Sequence, residues 1–429
     1  MMTRRERVTD DVRWSRAHHP VSDRVHFALA ISYCLVVPFF RLPEGPLLIA
    51  MFITAVLRLP QTYRLVPILL RDPTIWLLAL WATFTIWSRS WSLDPEQGSD
   101  ELRALRAIVL PFALFPLLDR VRWLCAALIV GTLLQNVAQA CAYASLFGAT
   151  APYGRTGGLH HTIMAGAWFA VALAWMISAT MWFRGRWRVI MAAGLCAPFF
   201  GMLATGSRGV WLAALIGLPM GFAIRSVIDR AHRPSPRTWL IAAGVTALTM
   251  LLASPLAAPR VRAAVQEIHQ VQADDVYWTS VGLRIGYWQW SIDAWLDAPL
   301  RGHGVGSFRS ALAQVDDYQR VRAENAGRES RLRYIERDHA HSSLLHMLVG
   351  TGVVGVLPFA ALILLLLIRS ARDPDDHPFA RAQLAAMLTW TIGSVFDSYH
   401  LTGHAFAILI LLTTFVMRYR PSPARRRGD

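Results

Sequence analysis

The chain contains no lysine. All 43 of its basic residues are arginine, set against 28 acidic ones in 429, for a formal net charge of +15. Charge is nevertheless scarce, at 17% of residues against 54% hydrophobic, which excludes a large soluble protein and indicates a polytopic membrane one. Cysteine is also scarce. Cys34, Cys125, Cys141 and Cys196 all fall inside apolar runs without metal-ligand spacing, so a disulfide framework and a zinc site are excluded and they read as small core residues. The segment up to about His26 is polar and arginine-rich but has no cleavage signal, so no secretory peptide is expected to be removed. The glycine-rich stretch from Pro299 to Phe308 lacks the Lys-Ser/Thr of a nucleotide-binding loop and reads as a flexible turn.

What the chain has in quantity is apolar runs and tryptophan, 17 of the latter, as expected of aromatic belts in a bilayer. The runs predict an all-α protein of about twelve transmembrane helices, near 26–40, 46–57, 74–88, 104–118, 123–147, 162–183, 189–204, 209–224, 239–254, 342–368, 382–396 and 402–417. The second is short and is equally readable as a re-entrant hairpin. This divides the chain into a first membrane unit (1–254), a large, mostly helical loop (255–341), a second membrane unit (342–417) and a basic tail (418–429). Segments on the side of the N-terminus hold 26 of the 43 arginines and the long loop 11. By the positive-inside rule both termini are cytoplasmic and the loop lies outside. Much of the basicity is therefore topological, and nucleic acid is not indicated as a partner.

The polar residues within reach of chemistry gather on the outer side. His339 and His341 stand where the loop gives way to the run ending near Ile368, and Ser342 and Ser343 are suited to cap the helix that follows. A helix start favours a neutral imidazole and can hold an anion, although a histidine that only caps a transmembrane helix explains the pattern as well. Arg208 sits in the tight turn Thr205-Gly-Ser-Arg-Gly209, and Arg155, His160 and His161 in another outer connection. Asp397, His400 and His404 follow the eleventh run, and His303 lies in the glycine-rich turn. Asp397 is suited to orient a histidine or bind a hydroxyl, and equally to cap a helix. In the loop, 259–272 and 282–296 have helical spacing. Tyr287, Trp288, Trp290 and Trp295 on the second of these are expected to lie along the headgroup layer, or else to floor a sugar site.

His341-Ser342 followed after nine residues by Gly352-Val-Val-Gly355, Gly206-Ser-Arg-Gly209 at the start of a run, and Thr279-Ser-Val-Gly-Leu-Arg284 with Trp288 and Pro299-Leu-Arg-Gly-His-Gly-Val-Gly together resemble the bacterial O-antigen ligase family. The resemblance implies a periplasmic active site in the inner membrane and the transfer of a glycan from undecaprenyl diphosphate to a sugar hydroxyl of lipid A–core. It also implies no cofactor and no metal, in agreement with the lack of an Asp-x-Asp cluster on the outer side. On this reading His341, or His339 in its place, is the general base, Arg208, Arg284 and more weakly Arg155 bind the diphosphate, and Asp397, His160, His161 and His303 serve the acceptor or orient the base. Partners are then the carrier-linked donor, the lipid A–core acceptor and membrane lipids. O-antigen polymerase, of the same superfamily, and a lipid-linked glycan transporter are the alternatives. Transporters place ionisable groups at mid-membrane depth, whereas these runs are largely free of charge.

Overall fold

The computed structural model describes residues 4–40, 44–146, 155–229, 254–255, 258–273, 275–373 and 377–417. Among these the chain is helical, with no strand. The expected ninth span, 239–254, lies outside the described residues but for its last, as does the basic tail. Among the described residues five helical stretches are long and apolar enough to cross a membrane: Pro95–Tyr143, Thr162–Trp182, Gly185–Ala204, Arg208–Ile228 and Ser343–Ala371. Glu44–Leu57 and Leu59–Leu70 qualify only as a pair bent by 63°, the form of a broken or re-entrant span. Pro20–Val36, Pro73–Ser88, Gln383–Phe396 and Gly403–Phe415 coincide with expected spans but hold only 17, 16, 14 and 13 residues. The expected fourth span is not one helix. Arg103–Val109 and Phe115–Arg120 are 3-10 turns around Leu110–Leu114, where Pro111 and Pro116 remove backbone donors.

Thr162–Trp182 and Gly403–Phe415 are buried along nearly their whole length and form the centre of the bundle, with Trp81, Trp168, Trp175, Trp390 and Phe406 filling it. Leu357 and Leu364, about 60% exposed, face outward as lipid-contacting side chains do. All four cysteines are free; Cys34 and Cys125 are core residues as expected, whereas Cys196 is exposed, because its helix turns one face out of the bundle.

Two close packings position the end of the bundle that carries Arg208 and Asp397. Arg208–Ile228 runs antiparallel to Gln383–Phe396 at backbone contact. A methyl group on Gly209, Gly217 or Gly221 would lie 2.7 Å from Phe396, 2.7 Å from Thr389 and 2.3 Å from Ala385. Small residues at these points let the helices meet and bring Arg208 beside Phe396 and Asp397. The second packing is that of 299–306 against the Ser343–Ala371 helix, which is broken at Gly352 (φ +61°, ψ −168°). The amides of His303 and Gly304 donate to the carbonyls of Val349 and Gly350 at 2.8 Å, and those of Val353 and Val354 to Pro299 and Leu300 at 3.0 and 3.1 Å. The loop thus takes up the backbone groups that the break releases. The expected flexible turn is instead a docked one.

Gly304 (φ +94°) is also enclosed on its other side, where a methyl group would come within 2.3 Å of Ser92 Cα. Gly304→Ala is expected to cost at least about 1–3 kcal/mol of strain and to lower the unfolding temperature of the purified protein by several degrees. An unchanged temperature would contradict the docking.

The loop has a core of its own, in which Tyr287, Trp290, Phe308, Tyr318, Val321 and Ile335 pack together with Val349 of the membrane helix. For Tyr287 and Trp290 this corrects the expectation of a place along the headgroup layer, while Trp288 and Trp295 are half-buried. Tyr287 and Trp290 are fully buried, because one face of Ser280–Asp297 closes over the helices Phe308–Leu312 and Asp316–Glu324.

Candidate active site

The Ser343–Ala371 helix begins as its sequence indicates, with Ser342 as N-cap accepting from the Leu345 amide at 3.5 Å. His341, immediately before the cap, has φ +48°, a strained conformation for a residue with a Cβ that clusters at functional sites. It is held there by two contacts. Its amide donates to His339 Nδ1 at 3.3 Å, and its ring stacks on Tyr287 with centroids 6.0 Å apart. The Tyr287 hydroxyl accepts from the Arg337 amide at 2.7 Å and donates to the Ile335 carbonyl at 2.9 Å, tying down the approach segment.

Asp397 comes to the same place from the end of Gln383–Phe396. Its carbonyl accepts from Ser343 Oγ at 3.2 Å and its Oδ1 from the Ser398 amide at 2.8 Å. Oδ2 is left facing His341 Nδ1 at 3.6 Å. Burial opposes ionisation of Asp397, but the adjacent imidazole of His341, with His339 and Arg284, holds its carboxyl down to about 2. An ionised aspartate on Nδ1 directs the other ring nitrogen of His341, Nε2, to accept a proton.

His339 is kept neutral by burial, which, reinforced by His341, takes it down to about 3. An unfolded histidine protonates near 6.5. Between these values the unfolded chain binds the extra proton, so the contribution of His339 to stability is complete above about pH 6.5 and is lost as the pH falls towards 3. His339→Gln is expected to flatten the fall of unfolding temperature below about pH 6.5, and an equally steep fall in the variant would contradict this.

Arg284 joins this histidine–aspartate pair to the other cations. Its Nε donates to the carbonyl of Phe396, adjacent to Asp397, at 3.2 Å, and another nitrogen holds Ser280 at its own helix start. Its protonation is disfavoured by burial, favoured by Asp397 and disfavoured by Arg208, so it feels both groups. Arg208, the first residue of its helix, forks onto Glu267 of helix 258–273 at 3.1–3.3 Å and donates to the Arg260 carbonyl at 3.3 Å. Arg155 donates to the Thr205 carbonyl and to Thr162 Oγ1 and lies within the fields of Arg260, Arg284 and Arg208. His161 is lowered by burial against the pull of Asp397, with Arg155 and His341 nearby, so it also borders the group.

Two of the candidates are not brought here. His160 meets His404 edge to face with ring centroids 4.5 Å apart, and His404 in turn pairs with Glu44 at 2.7 Å. His303 bonds the Ala294 carbonyl at 2.7 Å and belongs to the docked turn. Residues that the sequence did not single out are Glu267, Arg260, and a buried pair beneath the site, His346 and Glu101, 3.3 Å apart. Glu101 also accepts from the Gly306 amide at 3.1 Å and so anchors the turn. A signal for Glu267 existed: it is an acid on the amphipathic 259–272 segment of a strongly basic loop.

Chemically, the arrangement offers a proton acceptor, an aspartate that fixes its tautomer, and a set of guanidinium groups able to neutralise a polyanion. His339, His341 and Asp397 also present ligand atoms within 4.8 Å of one another, a spacing that a divalent ion can bridge.

No curated protein matches the chain. Residues 194–360 match a family model described as O-antigen ligase, a segment that contains Arg208, Glu267, Arg284, His339 and His341 and leaves Arg155 and Asp397 outside. Over that segment, somewhat more than a third of its length, the chain is similar to the O-antigen ligase family, and its long apolar helices are those of a membrane protein.

Proposed function

We propose that the protein is an O-antigen ligase proper, moving a glycan from undecaprenyl diphosphate to a sugar hydroxyl of lipid A–core at the periplasmic face of the inner membrane. His341 takes the proton of the acceptor hydroxyl as its oxygen attacks the anomeric carbon from the side opposite the diphosphate. The C–O bond to the diphosphate breaks, its electron pair leaves with the phosphate oxygen, and the anomeric centre is inverted. Asp397 holds the imidazole, and Arg284 and Arg208, with Arg155 behind them, neutralise the departing charge. His161 borders the space where the acceptor enters. The observation that carries this reading is the position of Arg284, hydrogen-bonded beside Asp397 and in the field of Arg208, which makes base and clamp one site. The reaction needs no metal on this reading, since guanidinium groups supply the neutralising charge, and a chelator is expected to leave the rate unchanged.

The test is the lipopolysaccharide of a strain lacking the gene. A ligase predicts unmodified core with carrier-linked polymer accumulating. A single repeat unit on the core would identify a polymerase and overturn the assignment.

A further inference from the structure

The clamp already contains an anion. Glu267 accepts from Arg208 through both carboxylate oxygens, at 3.1 and 3.3 Å, and its Oε2 also accepts from the Val281 amide at 2.7 Å. Val281 lies in the first turn of Ser280–Asp297, the helix that carries Arg284 one turn further on, and Arg284 lies in the field of Glu267. One carboxylate therefore occupies the two donors that a phosphate would be expected to take, a guanidinium fork and a helix N-terminus. Both side chains are partly accessible, 24% for Arg208 and 17% for Glu267, so an incoming ligand can reach the pair.

A cluster of arginines at the outer membrane surface meets a chemical problem. The surrounding bilayer presents phosphodiester headgroups at high concentration, each with a single negative charge, while the donor's diphosphate carries two. A bare cluster would fill with phospholipid. A tethered carboxylate of unit charge competes at high effective concentration and cancels the advantage of any other monoanion. A dianion able to span Arg208 and Arg284 gains a second charge-assisted contact that the carboxylate cannot match.

We propose that Glu267 is the resident counter-anion of the pocket and sets its specificity for the doubly charged diphosphate of a carrier lipid over singly charged phosphodiesters. This rests on the reading of Arg208 and Arg284 as the diphosphate clamp. Glu267 is displaced on binding and takes no part in the chemical step.

The experiment measures binding of farnesyl diphosphate and of phosphatidylglycerol to the purified full chain in neutral detergent, for wild type, Glu267→Gln and Arg208→Ala. The amide keeps one oxygen that accepts from Val281 and Arg208, removes the charge and turns the other oxygen into an NH2 group that no longer accepts from Arg208; Glu267→Ala replaces it if that variant does not purify folded, with the same direction expected. The expected result is that phosphatidylglycerol binds about tenfold tighter to Glu267→Gln, farnesyl diphosphate gains less, and the preference for diphosphate falls accordingly. A variant that binds both ligands more weakly, or keeps the wild-type preference, overturns the proposal and makes Glu267 a support for Arg208. Arg208→Ala separates the two layers. Undiminished diphosphate binding in that variant overturns the clamp itself, whereas loss of binding there, with an unchanged preference in Glu267→Gln, overturns only the role of Glu267.

Discussion

His341→Asn is expected to lower the turnover number for glycan transfer by about 10²–10⁴ while leaving donor affinity as it is. Asparagine is the informative substitution because it tolerates the positive φ of +48° at this position, so the backbone is not released. What it cannot supply is an unprotonated ring nitrogen aligned by Asp397, whose Oδ2 lies 3.6 Å from Nδ1. Binding should survive because the arginines proposed to bind the diphosphate reside on other elements, the starts of Arg208–Ile228 and Ser280–Asp297. A matched loss of affinity and turnover would place His341 among the binding groups. Full turnover would remove the base assignment.

Arg284→Gln carries the second large expectation, a loss of about 10²–10³ in kcat/KM, the usual consequence of deleting one donor aimed at developing charge. Arg284 stands between Asp397 and Arg208, so its removal both withdraws charge from the leaving group and relaxes the field that helps hold Asp397 ionised. Arg284→Lys is expected to recover only part of the loss, because an ammonium group keeps the charge but lacks the fork that holds Phe396 and Ser280 together. Turnover at the wild-type rate in Arg284→Gln would mean that the diphosphate binds elsewhere.

Much of this site is legible in the chain because its residues stand at transitions. Arg208, His341 and Asp397 all occupy the few positions where an apolar run begins or ends, and a charged or titratable residue there needs a reason to be present. Arg284 is legible through its family context and the helical spacing around it. The residues that reasoning from the sequence passed over are those whose role comes from a partner remote in the chain. Glu267 matters because Arg208 reaches it across 59 positions, and Glu101 because Gly306 and His346 do so across 205 and 245.

The fold was legible in its periodic parts and misread where packing overrides composition. An aromatic helix rich in tryptophan reads as a membrane-surface element, yet the helices of the same loop bury Tyr287 and Trp290 on its inner face. A run of glycines reads as a flexible turn, yet at 302–306 those glycines permit backbone-to-backbone docking into the break at Gly352. The apolar run 104–118 lies within the helical stretch Pro95–Tyr143, but there the missing donors at Pro111 and Pro116 leave a short helix between 3-10 turns, which hydropathy does not show.

The most direct measurement combines the purified protein, a carrier-diphosphate-linked glycan and lipid A–core, and follows both lipids through one reaction in the presence of a chelator. A single site that joins a histidine base to an arginine clamp predicts that glycan appears on the core in step with release of free carrier diphosphate. Glycan moved across a vesicle membrane with no new glycosidic bond, or lengthened only on the carrier, would contradict it.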